Sequence, residues 1–289
     1  MPELPEVETV ANSVHQRVQG DKIVEAWFGS HKEPFKTSPI KQAKGLEGKI
    51  LYSIHRTGKH IVCELTDALQ NASEKNPSEA KITAHPVCAQ WIVHLGMTGR
   101  LLVTTPHAEI APHTHARLRL QSGKELRFVD PRRFGRLEFR DLAREKSFTP
   151  AGFEPLTIST EEFAALFRSR KLAIKAALLN QSLLTGVGNI YADESLFHAG
   201  IRPRRPAGRL TRAQLDRLHA ALQQVLRDSI ARGGSSVSDY VDANGVRGFY
   251  QLNHHVYSRE NQPCHQCGTL IRKIVLAGRG THFCPQCQK

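Results

Sequence analysis

The sequence predicts an α+β fold. An antiparallel β-sandwich or barrel is led by one helix, followed by a helical bundle and a small cysteine-ligated β-hairpin. Three observations carry this. Eight short runs rich in β-branched residues occupy the first half, helical spacing replaces them after about residue 150, and two CxxC pairs close the chain.

The leading helix starts at Pro5, which suits a first helical turn, and Val7, Val10, Ala11, Val14 and Val18 follow at helical spacing. The runs KIVEAWF, KILYSIH, HIVCEL, QWIVHLG, RLLVTT, ARLRLQ, KELRFVD and RLEFR then read as strands separated by Gly, Pro and Ser. Between Thr66 and Gln90 the polar stretch holding NASEKNPSEA reads as a long loop. After FTPAGFEPL the pattern turns helical in EEFAALFRSR, KLAIKAALLNQS, NIYADESLFHAG and TRAQLDRLHAALQQVLRDSIARGG, as far as about Gly234. A Gly- and Ser-containing loop leads from there to the cysteine-rich tail. Three domains are expected, at 1–145, 150–260 and 261–289.

Forty Lys and Arg against twenty-seven Asp and Glu give a formal charge of +13 over 289 residues and a pI near 9.7. That balance points to a polyanionic partner, nucleic acid or an acidic membrane surface. No apolar run of about 18 residues is present, and the N-terminus has acids where a signal peptide has basic residues, so a cytosolic protein is expected. In that reducing compartment six cysteines argue against a disulfide framework, and four of them fall in the last 26 residues.

Those four are Cys264 and Cys267, then Cys284 and Cys287 after sixteen intervening residues, the spacing of a structural four-thiolate zinc site around a β-hairpin. The hairpin carries Arg272, Lys273 and Arg279, cations suited to a phosphate backbone. In LLTGVGNIYADE, Gly186 and Gly188 precede Asn189 and a helix start, a setting that favours a phosphate, with Arg170, Lys171 and Lys175 nearby in sequence. DPRRFGR places Arg132 beside Phe134, and HLGMTGR places Met97 between two glycines. On exposed loops such side chains act as wedges in a base stack; in the interior they are ordinary core residues. At the start, a small residue at position 2 allows Met1 to be removed, leaving Pro2 with a secondary amine at the positive end of a helix dipole. That amine is a candidate nucleophile, and Glu3 a candidate proton donor or shuttle with Glu6 one turn on; the alternative is an ordinary helix start.

MPELPEVETV, RTGKHIVCEL, HLGMTGR, DPRRFG, LLTGVGNIYADESLFHAGI and the closing CxxC pairs, in this order over nearly the whole chain, resemble bacterial formamidopyrimidine-DNA glycosylase. The resemblance implies that the bundle is a helix-two-turn-helix DNA-binding domain and the tail a zinc finger. It also implies a monomeric, nucleoid-associated glycosylase and AP lyase for 8-oxoguanine and formamidopyrimidines in duplex DNA. By motif position, Pro2 matches the Schiff-base nucleophile, Glu3 the acid, Lys59 a lysine assisting β-elimination, and Arg279 an arginine tied to δ-elimination. Met97, Arg132 and Phe134 match the trio that fills the gap left by a flipped base, and His113, Arg170, Lys171 and Asn189 match DNA contacts. Residues 66–90 form an insertion where the family usually has a short turn.

Two other readings stand beside this one: an endonuclease VIII-like enzyme for oxidised pyrimidines, and a zinc-dependent DNA-binding protein without catalysis. A small-molecule enzyme using an N-terminal proline has no use for +13 or a zinc hairpin.

Overall fold

The computed structural model describes residues 1–30, 34–67, 86–236 and 240–289. The chain forms two compact units. One holds residues 1–2, 7–149 and 239–247, the other residues 3–6, 150–238 and 248–289. In chain order the elements are α1 (Leu4–Val18), β1 (Ile23–Phe28), α2 (Pro39–Leu46), β2 (Ile50–Thr57), β3 (His60–Thr66), β4 (Ala89–His94), β5 (Arg100–Thr104), β6 (Thr114–Leu120), β7 (Glu125–Val129) and β8 (Arg136–Asp141). Helices α3 (Thr160–Phe167), α4 (Ile174–Leu178), α5 (Asn189–His198) and α6 (Arg212–Ala231) follow, then β9 (Arg272–Leu276) and β10 (Arg279–Phe283).

All eight expected strands form, in two four-stranded antiparallel sheets ordered β1-β6-β7-β5 and β2-β3-β4-β8. The alternatives left open by the sequence thus resolve to a sandwich. Period-2 side-chain alternation explains it: in β5, Leu101 and Val103 are buried between half-buried neighbours, and in β8, Leu137 and Phe139. β4 and β7 are buried nearly throughout, and Trp91 in β4 donates to Gln42 at 3.1 Å. The apolar face of α1 (Val7, Val10, Ala11, Val14, Val18) joins this core.

Helix α2 has no counterpart in the sequence-based expectation. Ser38 caps it by accepting from the Lys41 amide at 3.3 Å, and Pro39 starts it. Gly45 lets it lie against Phe139, whose ring would sit 2.4 Å from a Cβ at that position.

In the other unit α3 and α6 open with capping boxes at Ser159 and Thr211. Their apolar stripes, with Phe163, Phe167, Leu218, Leu222 and Leu226, pack with α4 and α5 into a second core. α5 is buried along almost its whole length, from Ile190 to Phe197. The β9–β10 hairpin turns through Ala277 and Gly278, both at positive φ. Most of the expected 66–90 loop (residues 68–85) and residues 237–239 lie outside the described residues; after the second of these, Ala243 O accepts from the Val103 amide and from Arg17, which also donates to Asn244. Among the described residues no helix is long and apolar enough to cross a membrane.

Candidate active site, metal centre and nucleic-acid contacts

Pro2 and Glu3 are buried, Glu3 to 4% exposure, while Met1 is exposed. The Glu3 carboxylate accepts from the amides of Ile190 (3.1 Å) and Tyr191 (3.4 Å) at the start of α5. Free amides and the helix dipole both favour an anion there. This approach requires Gly188, since a Cβ on that residue would fall 2.2 Å from Glu3 Cδ. Gly186, at φ +87°, holds the segment from the other side, its carbonyl accepting from the Leu4 amide at 3.0 Å. The helix start that the sequence offers to a phosphate is therefore filled by the chain's own Glu3.

Glu6 completes the arrangement. Its carboxylate accepts from the Glu3 amide (2.8 Å), the Ser235 amide (2.7 Å) and the Tyr191 hydroxyl, which also meets Ser229 at 2.6 Å. Burial raises the Glu6 carboxyl above the usual carboxylate range, against the pull of the Tyr191, Ser235 and Glu3 bonds. Burial and the Glu6 charge push the Tyr191 hydroxyl well up, so the proton stays on Tyr191. The backbone bearing Glu3 is thereby fixed by buried, mutually satisfied groups.

In the sandwich unit, Lys59 sits half-buried in the two-residue turn joining β2 to β3, where Gly58 adopts φ +62°. His60 and His94 stand beside it with ring centroids 4.9 Å apart. Burial first, and neighbouring charges second, lower both imidazoles to about 4. Met97, 38% exposed, and Phe134, 50% exposed, occupy two loops that touch through backbone. A Cβ at Gly96 would lie 2.4 Å from the Phe134 carbonyl carbon. The Arg132 guanidinium covers the Phe134 ring at 4.7 Å. Met97, Arg132 and Phe134 thus form one exposed cluster, not core.

Buried Asp130 shapes that cluster. Its carboxylate accepts from Thr98 Oγ1 (2.6 Å), the Gly135 amide (2.8 Å) and the Arg132 amide (3.3 Å). Its own amide donates to the carbonyl of exposed His113 at 3.0 Å, so His113 is tied to the same loop. The sequence shows Asp130 only as part of a turn dipeptide; its link to the Met97 loop depends on Thr98, 32 residues away.

In the other unit Arg170 and Lys171 are exposed at the turn between α3 and α4 and share a cleft of about 460 Å³ with Arg209. Arg209 belongs to no motif in the sequence; only the neighbouring Arg202, Arg204 and Arg205 mark the stretch as basic. Lys175 departs from expectation. It is fully buried, paired with Asp193 at 2.7 Å, and donates to Gly280 O (2.9 Å) and Thr281 Oγ1 (2.8 Å). It is occupied in holding β10 and is not a surface cation. Asn189 does similar work, its amide donating to Gly280 O at 3.0 Å, while Asp193 accepts from the His282 amide at 2.9 Å. Together they present exposed Arg279 at the start of β10.

Cys264 and Cys287 Sγ atoms lie 3.9 Å apart, Cys267 and Cys284 3.5 Å, and all four within 4.8 Å. Tetrahedral zinc with bonds of about 2.3 Å needs sulfurs about 3.8 Å apart, so the four thiolates are positioned to hold one zinc ion. The hairpin's own core is small (Cys264, Ile271 and Cys284, with Phe197 and Val256), which makes the metal its main internal support.

Three family models match: the formamidopyrimidine-DNA glycosylase N-terminal domain over residues 1–137, the H2TH domain of the same enzyme over 152–241, and the zinc finger found in FPG and IleRS over 261–289. Formamidopyrimidine-DNA glycosylases of Solibacter usitatus and Desulfitobacterium hafniense are 41% and 40% identical, each covered over 100% of both chains. Solved relatives include Lactococcus lactis Fpg with abasic-site DNA (32% identity, TM-score 0.83, 99% of each chain). MutM with DNA containing carbocyclic 8-oxo-G (32%, 0.83) and L. lactis Fpg with DNA containing an oxidised pyrimidine (32%, 0.82) are covered over 100% of each chain. The chain belongs to the formamidopyrimidine-DNA glycosylase family, a zinc-finger DNA glycosylase of base-excision repair.

Proposed function

We propose that this glycosylase excises oxidised purines, 8-oxoguanine and formamidopyrimidines, from duplex DNA through a Schiff base on Pro2, and then nicks the strand as an AP lyase by β,δ-elimination. The observation that carries the reading is the Glu3 carboxylate, buried and fixed on the start of α5 beside the residue proposed as nucleophile. After Met1 removal, the Pro2 nitrogen attacks C1′ of the damaged nucleotide as the bond to the base breaks. The amide donors favour Glu3 as the carboxylate, so it first takes the amine's proton and then passes it to the opening sugar oxygen. The product is an iminium on Pro2, from which loss of a C2′ proton expels the 3′ phosphate.

Lys59 assists that elimination and neutralises phosphate, and Arg279 on the zinc hairpin does the same for the second, δ step. Met97, Arg132 and Phe134 fill the stack after the base leaves it, offsetting an extrusion cost of a few kcal/mol. Their exposure and the Arg132–Phe134 contact support this role. His113, Arg170, Lys171 and Asn189 hold the backbone, with Arg209 added to the set by its place in the same cleft.

The test is borohydride trapping on a duplex with one 8-oxoguanine opposite cytosine, with the adduct located by peptide mass. An adduct at Pro2, absent in Pro2→Gly, establishes nucleophile and substrate together. Trapping only on a thymine glycol duplex shifts the substrate to oxidised pyrimidines, which the L. lactis Fpg complex with such DNA keeps in view. DNA binding without trapping on either duplex refutes the lyase.

A further inference from the structure

Away from Glu3 and the four cysteines, Glu194, His198 and His255 bring one carboxylate oxygen and two imidazole nitrogens within 4.8 Å of one another. Glu194 and His198 lie one turn apart on α5 and so share a face. His255 comes from the segment that leads toward Cys264.

The Glu194 carboxylate is fully buried and accepts three backbone amides, from Val256 (3.0 Å) and Tyr257 (2.8 Å) on Oε1 and from His255 (2.9 Å) on Oε2. Each carboxylate oxygen offers two lone pairs, so one on Oε2 remains. His255 Nδ1 faces that oxygen at 3.6 Å, too long for a hydrogen bond, and is itself buried with no hydrogen-bond partner. The His198 and His255 rings meet edge to face, with centroids 4.6 Å apart. They border a cavity of about 510 Å³ also lined by Asp228. Simple aromatic packing accounts for the rings but leaves buried Nδ1 without a hydrogen-bond partner.

We propose that Glu194, His198 and His255 form a second metal site, which takes a divalent transition cation such as Zn2+ or Ni2+. Two imidazoles with one carboxylate suit borderline ions, whereas Mg2+ and Ca2+ want oxygen ligands only. Three ligands at about 2.0–2.1 Å from a tetrahedral ion stand about 3.4 Å apart. The Glu194–His255 pair is already close to that at 3.6 Å, and exposed His198 closes the rest by side-chain rotation. The fourth position opens on the cavity and takes water. Bound metal ties α5 to the segment entering the zinc finger.

The experiment uses the full chain with one zinc per molecule verified by elemental analysis. Calorimetric titration with Ni2+ is expected to show one further equivalent with no loss of zinc and a rise in Tm, while Mg2+ gives neither. His198→Ala, at an exposed position, and His255→Ala should each weaken this binding at least ten-fold and abolish the Tm rise, with zinc content unchanged. Absence of a further equivalent, uptake matched by released zinc, or Ni2+ affinity unchanged in His198→Ala would each overturn the proposal.

Discussion

Replacing Gly188 by alanine tests the seat of Glu3 without touching its carboxylate. The new Cβ would fall 2.2 Å from Glu3 Cδ and 2.5 Å from Oε1, so the side chain must retreat about 1.2 Å to reach ordinary contact. The bonds to Ile190 and Tyr191 amides, now 3.1 and 3.4 Å, cannot survive that movement. Hydrogen bonds to a charged group contribute about 1.5–3 kcal/mol each; the second here is long, so about 3 kcal/mol is expected to be lost in all. At about 2–4 °C per kcal/mol for a unit of this size, Tm falls by roughly 6–12 °C. A displacement near 1 Å at a reacting group costs about 100-fold in rate. Thermal melting and single-turnover excision of 8-oxoguanine, run below the variant's Tm, check both numbers. Wild-type excision and an unchanged Tm in Gly188→Ala would refute the claim that Glu3 is set by α5.

Three further outcomes are expected. Removing zinc with a chelator should abolish DNA binding while the sandwich unit keeps its circular-dichroism signal and melting transition, because the hairpin has little apolar core of its own. Lys175→Met strands Asp193 in the interior; breaking such a pair costs about 3–5 kcal/mol, and the loss should appear in Tm together with weaker DNA binding through a displaced hairpin. The His60 and His94 imidazoles are lowered in the folded state to about 4, so the fold favours their neutral forms. Their contribution is complete above the unfolded value near 6.5 and is lost as pH falls toward 4, on the order of 3 kcal/mol for one of the two. A urea-midpoint profile over that range should flatten in His60→Phe.

What was legible in the sequence follows from the range of each interaction. The zinc site could be read because its ligands come as two local pairs, and the eight strands because alternation is a property of short runs. Helix α2 escaped because eight residues with a glycine inside give a weak periodic signal, although Ser38 and Pro39 marked its start. Lys175 misled for a different reason: a lysine among arginines looks like surface until Asp193, eighteen positions on, is seen to neutralise it. The Gly186 to Asn189 turn reads in sequence as a seat for phosphate, but the anion on it in the structure is Glu3, 187 residues from its Ile190 partner, and no local pattern encodes that.

The contact at Gly96 has a consequence for how this surface can change over time. With the Phe134 carbonyl 2.4 Å from where a side chain would begin, the Met97 turn and the Phe134 loop share one backbone joint and cannot drift separately. A lineage that alters one must alter the other in the same step or lose both. The two loops should therefore behave as one backbone unit, and transplanting either alone into a relative should fail where moving both together succeeds.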